Sequence, residues 1–208
     1  MKYHHGNLKE KLILSAYQWI TDNGTDGFSL RKIAKLSKVS PTAPYRHFSS
    51  KEHLLADVTQ LGFKNFLNRI SSGKKKNNSI EYIVDIAIRY IDFGTENKNI
   101  ISLMFDYPIP KSDYPELLLA ANAAFSFLEN EIEFLHKGDE TKNRLNSISI
   151  HSYTHGLLNM IQMKQRIDTG RENSNRKLAQ SSNFYNASSM LKPNLKLLLS
   201  NFIKSLEF

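Results

Sequence analysis

"FSLRKIAKLSKVSPTAPYRHFSSKEHLL" (residues 28–55) is the stretch on which the fold turns. Ser29 is a good helix N-cap, and Leu30, Ile33 and Ala34 then fall on one inward face. "SKVS" interrupts the pattern, and a second short helix is expected over 40–47. Two short helices with a tight break, within about 20 residues, have helix-turn-helix spacing. The pair is expected at 29–37 and 40–47, with Val39 plugging the small core between them. A longer helix opens at "SSKE", where Ser49 and Glu52 have capping-box spacing. The two prolines constrain the second short helix. With Ser40 as N-cap, Pro41 stands in the first helical position, where its missing N–H costs nothing. Pro44 removes the first intrahelical donor, so the helix should be short or take 3₁₀ character, with Pro44 stiffening its outer surface.

Helical periodicity continues on both sides. Leu8, Leu12, Ala16 and Trp19/Ile20 share a face before a stop at Asn23 and Gly24. Leu55, Val58, Gly62, Phe66 and Ile70 line the long helix after the break. "SSGKKKNNS" (71–79) reads as a connection. Beyond it Ile80, Ile83, Val84, Ala87 and Ile91 form an amphipathic face, and "NIISLMFDYP" is a short apolar segment. Leu118, Ala121, Phe125, Leu128, Ile132 and Leu135 then have the seam spacing of a packed helix. Residues 145–163 contain no Asp, Glu, Lys or Arg, which predicts a helix buried on several sides. Residues 170–190 read as a loop. A last helix near Pro193 carries Leu195, Leu198, Leu199, Phe202 and Leu206. The expected fold class is all-α, in two domains, 1–70 and 79–208.

With 40% hydrophobic residues, a chain of 208 residues can bury a core and is not disordered. No run approaches the roughly 20 apolar residues of a membrane span. The start, "MKYHHGNLKEKL", lacks the apolar centre of a signal peptide. The absence of cysteine excludes disulfides and thiolate metal sites, so a cytoplasmic location is expected. Charge is segregated. Residues 1–76 hold 14 Lys/Arg against 5 Asp/Glu, a net of +9, whereas the remainder is −1. A basic third joined to a near-neutral remainder points to a polyanion-binding module attached to a module of another kind.

The groove-entering helix needs small or polar groups at its start, and Ser40, Thr42 and Ala43 meet that need. Arg46 can bond a base edge or a phosphate, and Tyr45 and His47 can donate to phosphate oxygens. Lys51 lies in the first turn of the following helix, where a cation is unfavourable unless a phosphate occupies that helix N-terminus. His4 and His5 stand at the terminus and could also approach DNA.

The same residues resemble the DNA-binding region of TetR-type transcriptional regulators. The shared features are "IA" in the second helix, "VS" closing the turn, "YxHF" in the third helix and "SKExLL" opening the fourth. The resemblance covers about residues 6–66. "YHHGNL" (3–8) and "APYRHF" (43–48) resemble one subgroup, whose C-terminal domain carries a Trp-x-x-x-His-Gly-like motif. Here "SYTHGLL" (152–158) keeps His155 and Gly156 and lacks the tryptophan. The usual "AGVS" is "SKVS", with Lys38 in place of glycine. Thr42 and Ala43 replace the common Gly-Thr, and Pro44 an aliphatic residue. The resemblance implies a three-helix DNA-binding bundle followed by a larger helical ligand-binding and dimerisation domain. It implies a homodimer on a near-palindromic double-stranded DNA operator. Arg31 and the run Ser40, Pro41, Thr42, Ala43, Tyr45, Arg46 and His47, with Lys51, would be the contacting set. Tyr45, His47 and Lys51 would hold phosphates, and Thr42, Ala43 and Arg46 would face bases.

It further implies a small-molecule effector pocket and a dimer interface built by the last two long helices. Ser152 and Gly156, four apart in the uncharged helix, would permit close helix approach, and the final helix has a wide Leu/Phe stripe. Met104, Phe105, Phe125, Tyr153, His155, Met160 and Met163 are candidates for the lining of an adaptable apolar pocket. His151 and His155, at i and i+4, could bind a metal from one helix face, but no carboxylate or cysteine on that helix completes a set, and no metal or cofactor is expected. Three functions remain in view: a ligand-released transcriptional repressor, a nucleoid-like DNA binder with little sequence preference, and a metal-dependent enzyme using the two histidines.

Overall fold

The computed structural model describes residues 6–73, 79–135, 139–170 and 180–206. His4, His5 and the lysine run 74–76 lie outside them. Among the described residues the chain is helical with no strand. It divides into two compact units, one of residues up to Leu67 with Asn97–Ala124, the other of Asn68–Glu96 with Phe125 onward.

The first unit begins with α1 (Gly6–Asn23), which ends as expected at Gly24 in the left-handed conformation (φ 72°). Helix α2 (Leu30–Leu36) follows, with Ser29 Oγ accepting from the Lys32 N–H at 3.2 Å. Helix α3 (Lys51–Ser71) comes next, and α5 (Lys98–Phe105) packs back on α1. The inner face of α3 is the expected one: Leu55, Val58, Gly62 and Phe66 are buried. Its cap is displaced by one residue. Ser50 Oγ, not Ser49, accepts the His53 N–H (3.1 Å), while Ser49 Oγ lies 3.3 Å from His53 Nδ1. Lys9 and Asp57 join α1 to α3 at 2.8 Å.

In the second unit α4 (Ile80–Glu96) packs on both α7 (Glu140–Asp168) and α9 (Leu195–Ser205). Gly94 makes the first contact possible. A Cβ there would stand 2.3 Å from Leu158 Cδ2, and Leu158 is fully buried. Gly94→Ala is therefore expected to destabilise the chain by about 1–2 kcal/mol in chemical denaturation, overpacking outweighing the better helix propensity of alanine. Unchanged stability would contradict this packing.

Three expectations are corrected here. The buried face of α6 (Pro115–Leu135) runs through Leu117, Ala124, Leu128 and Ile132, so at its start Leu117 is buried and Leu118 is 39% exposed. Part of 170–190 is a helix, α8 (Asn183–Ser189), capped by Ser182 Oγ accepting from the Tyr185 N–H. It is moored to the end of α7 by the Tyr185 hydroxyl, which donates to Asp168 (2.6 Å). Residues 145–163 are not buried on several sides, because Leu145 is 58% exposed and Ile148 and Met163 also face solvent.

Candidate nucleic-acid interface

The end of α2 is closed by a Schellman arrangement. The Lys38 N–H donates to Lys35 O (3.1 Å) and the Val39 N–H to Ala34 O (3.0 Å), with Lys38 left-handed at φ 56°. Ser37 is buried, and its hydroxyl donates to Ser15 Oγ at 3.0 Å, tying the turn to α1. The element expected over 40–47 begins late, as a single 3₁₀ turn, Ala43–Arg46, with Thr42 and not Ser40 as its N-cap. The prolines are the reason. Pro44 has no N–H to return to Ser40, so the bonds that remain close tighter loops: Ala43 N–H to Ser40 O (3.0 Å) and Tyr45 N–H to Thr42 O (3.2 Å). Ser40 caps no backbone group; its hydroxyl lies 3.2 Å from that of Thr42. The sequence reading of Pro44 as outer surface is also corrected. Pro44 is buried, and its carbonyl accepts from both His47 and Phe48 at 2.9 Å.

That turn presents a compact face. Ser40, Pro41, Thr42, Tyr45 and Arg46 are exposed, as is Arg31 on α2, while Ala43, His47 and Lys51 are half-buried. Phe48 anchors it from beneath, with no exposed surface and its ring edge-on to His53 at 5.5 Å. The Lys51 ammonium lies 5.9 Å from the centre of the Phe28 ring, and that of Lys32 lies 3.8 Å over Trp19. Between Gly27 and Lys51 there is no Asp or Glu, against six Lys and Arg. An exposed, lysine- and arginine-bearing stretch without acids around a helix-turn-helix suits phosphate contact.

The expected pocket residues do not form one group. Met104, fully buried, packs on Gly62, and Phe105 meets Phe63 edge-on (5.7 Å), both in the first unit. In the second unit Tyr153 stacks on Phe202 at 4.1 Å and so joins α7 to α9. Met160, also there, is half-buried. Phe125 and His155 converge with His151, the other histidine of the i, i+4 pair, and with Tyr90, which was outside the expected set. His151 stacks on His155 (6.0 Å, 7° between planes) and meets Tyr90 and Phe125 edge-on, and the Tyr90 hydroxyl is hydrogen-bonded to His155 Nδ1 at 2.8 Å. A cavity of about 490 Å³ in this unit is lined by Glu129, Asn130, Glu133, Glu140, Asn143 and Arg144, a polar set that the apolar expectation did not contain. Among the described residues no three His, Asp or Glu side chains are grouped to hold a metal.

Burial, and then the neighbouring His155, hold the His151 pKa below its ordinary value of 6.5. The folded chain thus resists a proton that the unfolded chain accepts as pH drops below 6.5. Stability from this site is full above that value and is lost as pH falls through the folded-state pKa. Melting temperatures recorded from about pH 7.5 to 5 should decline less steeply for His151→Phe than for the wild type. Parallel curves would refute the assignment.

The class these observations define is an all-helical protein with an N-terminal helix-turn-helix. Residues 12–58 match the model of bacterial regulatory proteins of the tetR family, so that segment is similar to the helix-turn-helix part of those proteins. The biofilm-operon negative transcriptional regulator IcaR of Staphylococcus aureus is 30% identical over 101 residues, which cover 44% of this chain and 54% of that protein. The chain spans about half the length of the curated relatives it matches. The fold is shared more widely. A protein of unknown function from Rhodococcus sp. RHA1 superposes with a TM-score of 0.67 at 18% identity, covering 99% of this chain and 98% of its own. A TetR variant from Acinetobacter baumannii AYE, solved with minocycline, gives 0.56 at 15% identity over 98% and 96%. These named relatives that carry a function are regulators, not enzymes. Among the described residues no helix is long and apolar enough to cross a membrane.

Proposed function

We propose that this chain is a sequence-specific DNA-binding transcriptional repressor that works as a homodimer and is released from a near-palindromic operator by a small-molecule effector. The observation that carries the reading is that Arg31, Thr42, Tyr45 and Arg46 are all exposed on the helix-turn-helix, in a stretch, 27–51, without Asp or Glu. In it Tyr45, His47 and Lys51 position the protein on phosphates, and Thr42, Ala43 and Arg46 read bases. Residues 1–70 act as the reading head, and 79–208 as the sensing and dimerising part. Membership of the subgroup with the Trp-x-x-x-His-Gly-like motif, suggested by the wording of 3–8 and 43–48, is part of the same proposal.

Dimerisation is supported by an uncharged stripe on one face of α7, through Leu145, Ile148, Ser152, Gly156 and Met163, with Leu197 exposed on α9. Gly156 has nothing within 4 Å of where a Cβ would stand, so the stripe is open to close approach by another helix. A two-fold partner would cover it and set two reading heads about 34 Å apart, one turn of the duplex. An effector that prefers one arrangement of the sensing helices changes that separation and weakens operator binding. IcaR is a negative regulator, and the TetR variant holds minocycline. Selection from a random-sequence duplex library, followed by footprinting at moderate salt, tests the reading. A protected near-palindrome is expected. Uniform, salt-sensitive coverage would replace it with a nucleoid-like role.

A further inference from the structure

Lys38 stands where the backbone prefers glycine. It is the position after the α2 cap, and among the described residues it is the one non-glycine with positive φ, at 56°. An L-residue there is strained by roughly 1–2 kcal/mol, which glycine would avoid. Its two Schellman bonds are made by backbone groups and would be made as well by glycine. Nothing in the turn's own hydrogen bonding therefore calls for a side chain. The side chain is exposed, as are those of Arg31 and Lys35 on α2 and Arg46 on the 3₁₀ turn, and in sequence Lys38 falls between them in the stretch from Gly27 to Lys51, which has no Asp or Glu. A cation held on a rigid, strained turn between the two elements of a helix-turn-helix is placed to meet duplex backbone.

We propose that Lys38 is an additional phosphate-contacting residue, and that the strain of its left-handed backbone is the cost of carrying a cation at the turn. The inference rests on the DNA-binding reading above. Lys38 is a positioning contact, distinct from base readers such as Arg46. It should add affinity on every sequence alike and leave the preferred sequence unchanged.

The test uses the full-length chain and the duplex that the wild type selects from a random-sequence library. Affinity is measured across a salt series for wild type, Lys38→Gly, Lys38→Asn and Lys38→Arg. Glycine and asparagine both accept the left-handed backbone and both remove the charge. Each is expected to weaken binding about fivefold to tenfold per protomer near 0.1 M salt, and to reduce the slope of log K against log salt by about 0.9 per contact. Lys38→Gly should at the same time raise the melting temperature. Arginine should keep the wild-type slope. If Lys38→Gly and Lys38→Asn bind with wild-type affinity and slope, the proposal is wrong. A wild-type chain that shows no salt-dependent duplex binding would instead overturn the DNA-binding reading itself.

Discussion

A chain carrying Leu145→Asp and Ile148→Asp together is expected to run as a monomer and to lose operator binding by about 10²–10⁴-fold. The size follows from avidity. Once one reading head of a dimer is bound, the second binds at a high effective concentration, and separation of the protomers removes that gain without touching a DNA contact. Leu145 is 58% and Ile148 46% exposed on α7, so charging them disturbs packing within the protomer far less than charging a core position would. In the proposed interface each substitution would bury an unpaired carboxylate, which strongly opposes association. Sedimentation at micromolar concentration, together with duplex titration, checks both halves. Wild-type stoichiometry in the double variant would move the dimer contact elsewhere.

The second large effect is expected at Phe48. Phe48→Ala should cost about 3–5 kcal/mol, the usual range for emptying a fully buried aromatic site. That is a large part of the roughly 5–15 kcal/mol that holds a domain folded. The ring carries no exposed surface and packs on His53, with the Lys9 ammonium 5.8 Å from its centre. Its backbone N–H also closes the reading turn onto Pro44. Loss of the ring should therefore lower the denaturation midpoint and abolish duplex binding, although Phe48 itself presents nothing to DNA. A cost under about 1 kcal/mol would show that the turn is not seated on this ring.

Much of the architecture was legible in the order of residues. The stop at Gly24, the Ser29 cap and the inner face of α3 each depend on local backbone chemistry or on a 3.6-residue period, and each is found where the sequence places it. Two prolines three apart likewise predicted that the element after the turn would be short or would begin late with 3₁₀ character, and it is a 3₁₀ turn from Ala43 to Arg46. Misplacements came where two neighbouring residues satisfy the same local rule. Ser49 and Ser50 both precede α3, and Leu117 and Leu118 both begin α6; which of each pair turns inward depends on the surface it meets.

By itself, then, the sequence determined that the chain is helical, that its basic third carries a helix-turn-helix, and which residues crowd the turn after α2. The tertiary structure decided the rest. It turned Pro44 inward and left Tyr45 and Arg46 outward, and it divided the expected pocket residues between two units. It gathered Tyr90, Phe125, His151 and His155 from three helices, and laid the uncharged run of α7 partly open to solvent. The physical reason is range. Caps, prolines and periodicity act over one or two helical turns, whereas burial depends on which distant element happens to cover a face.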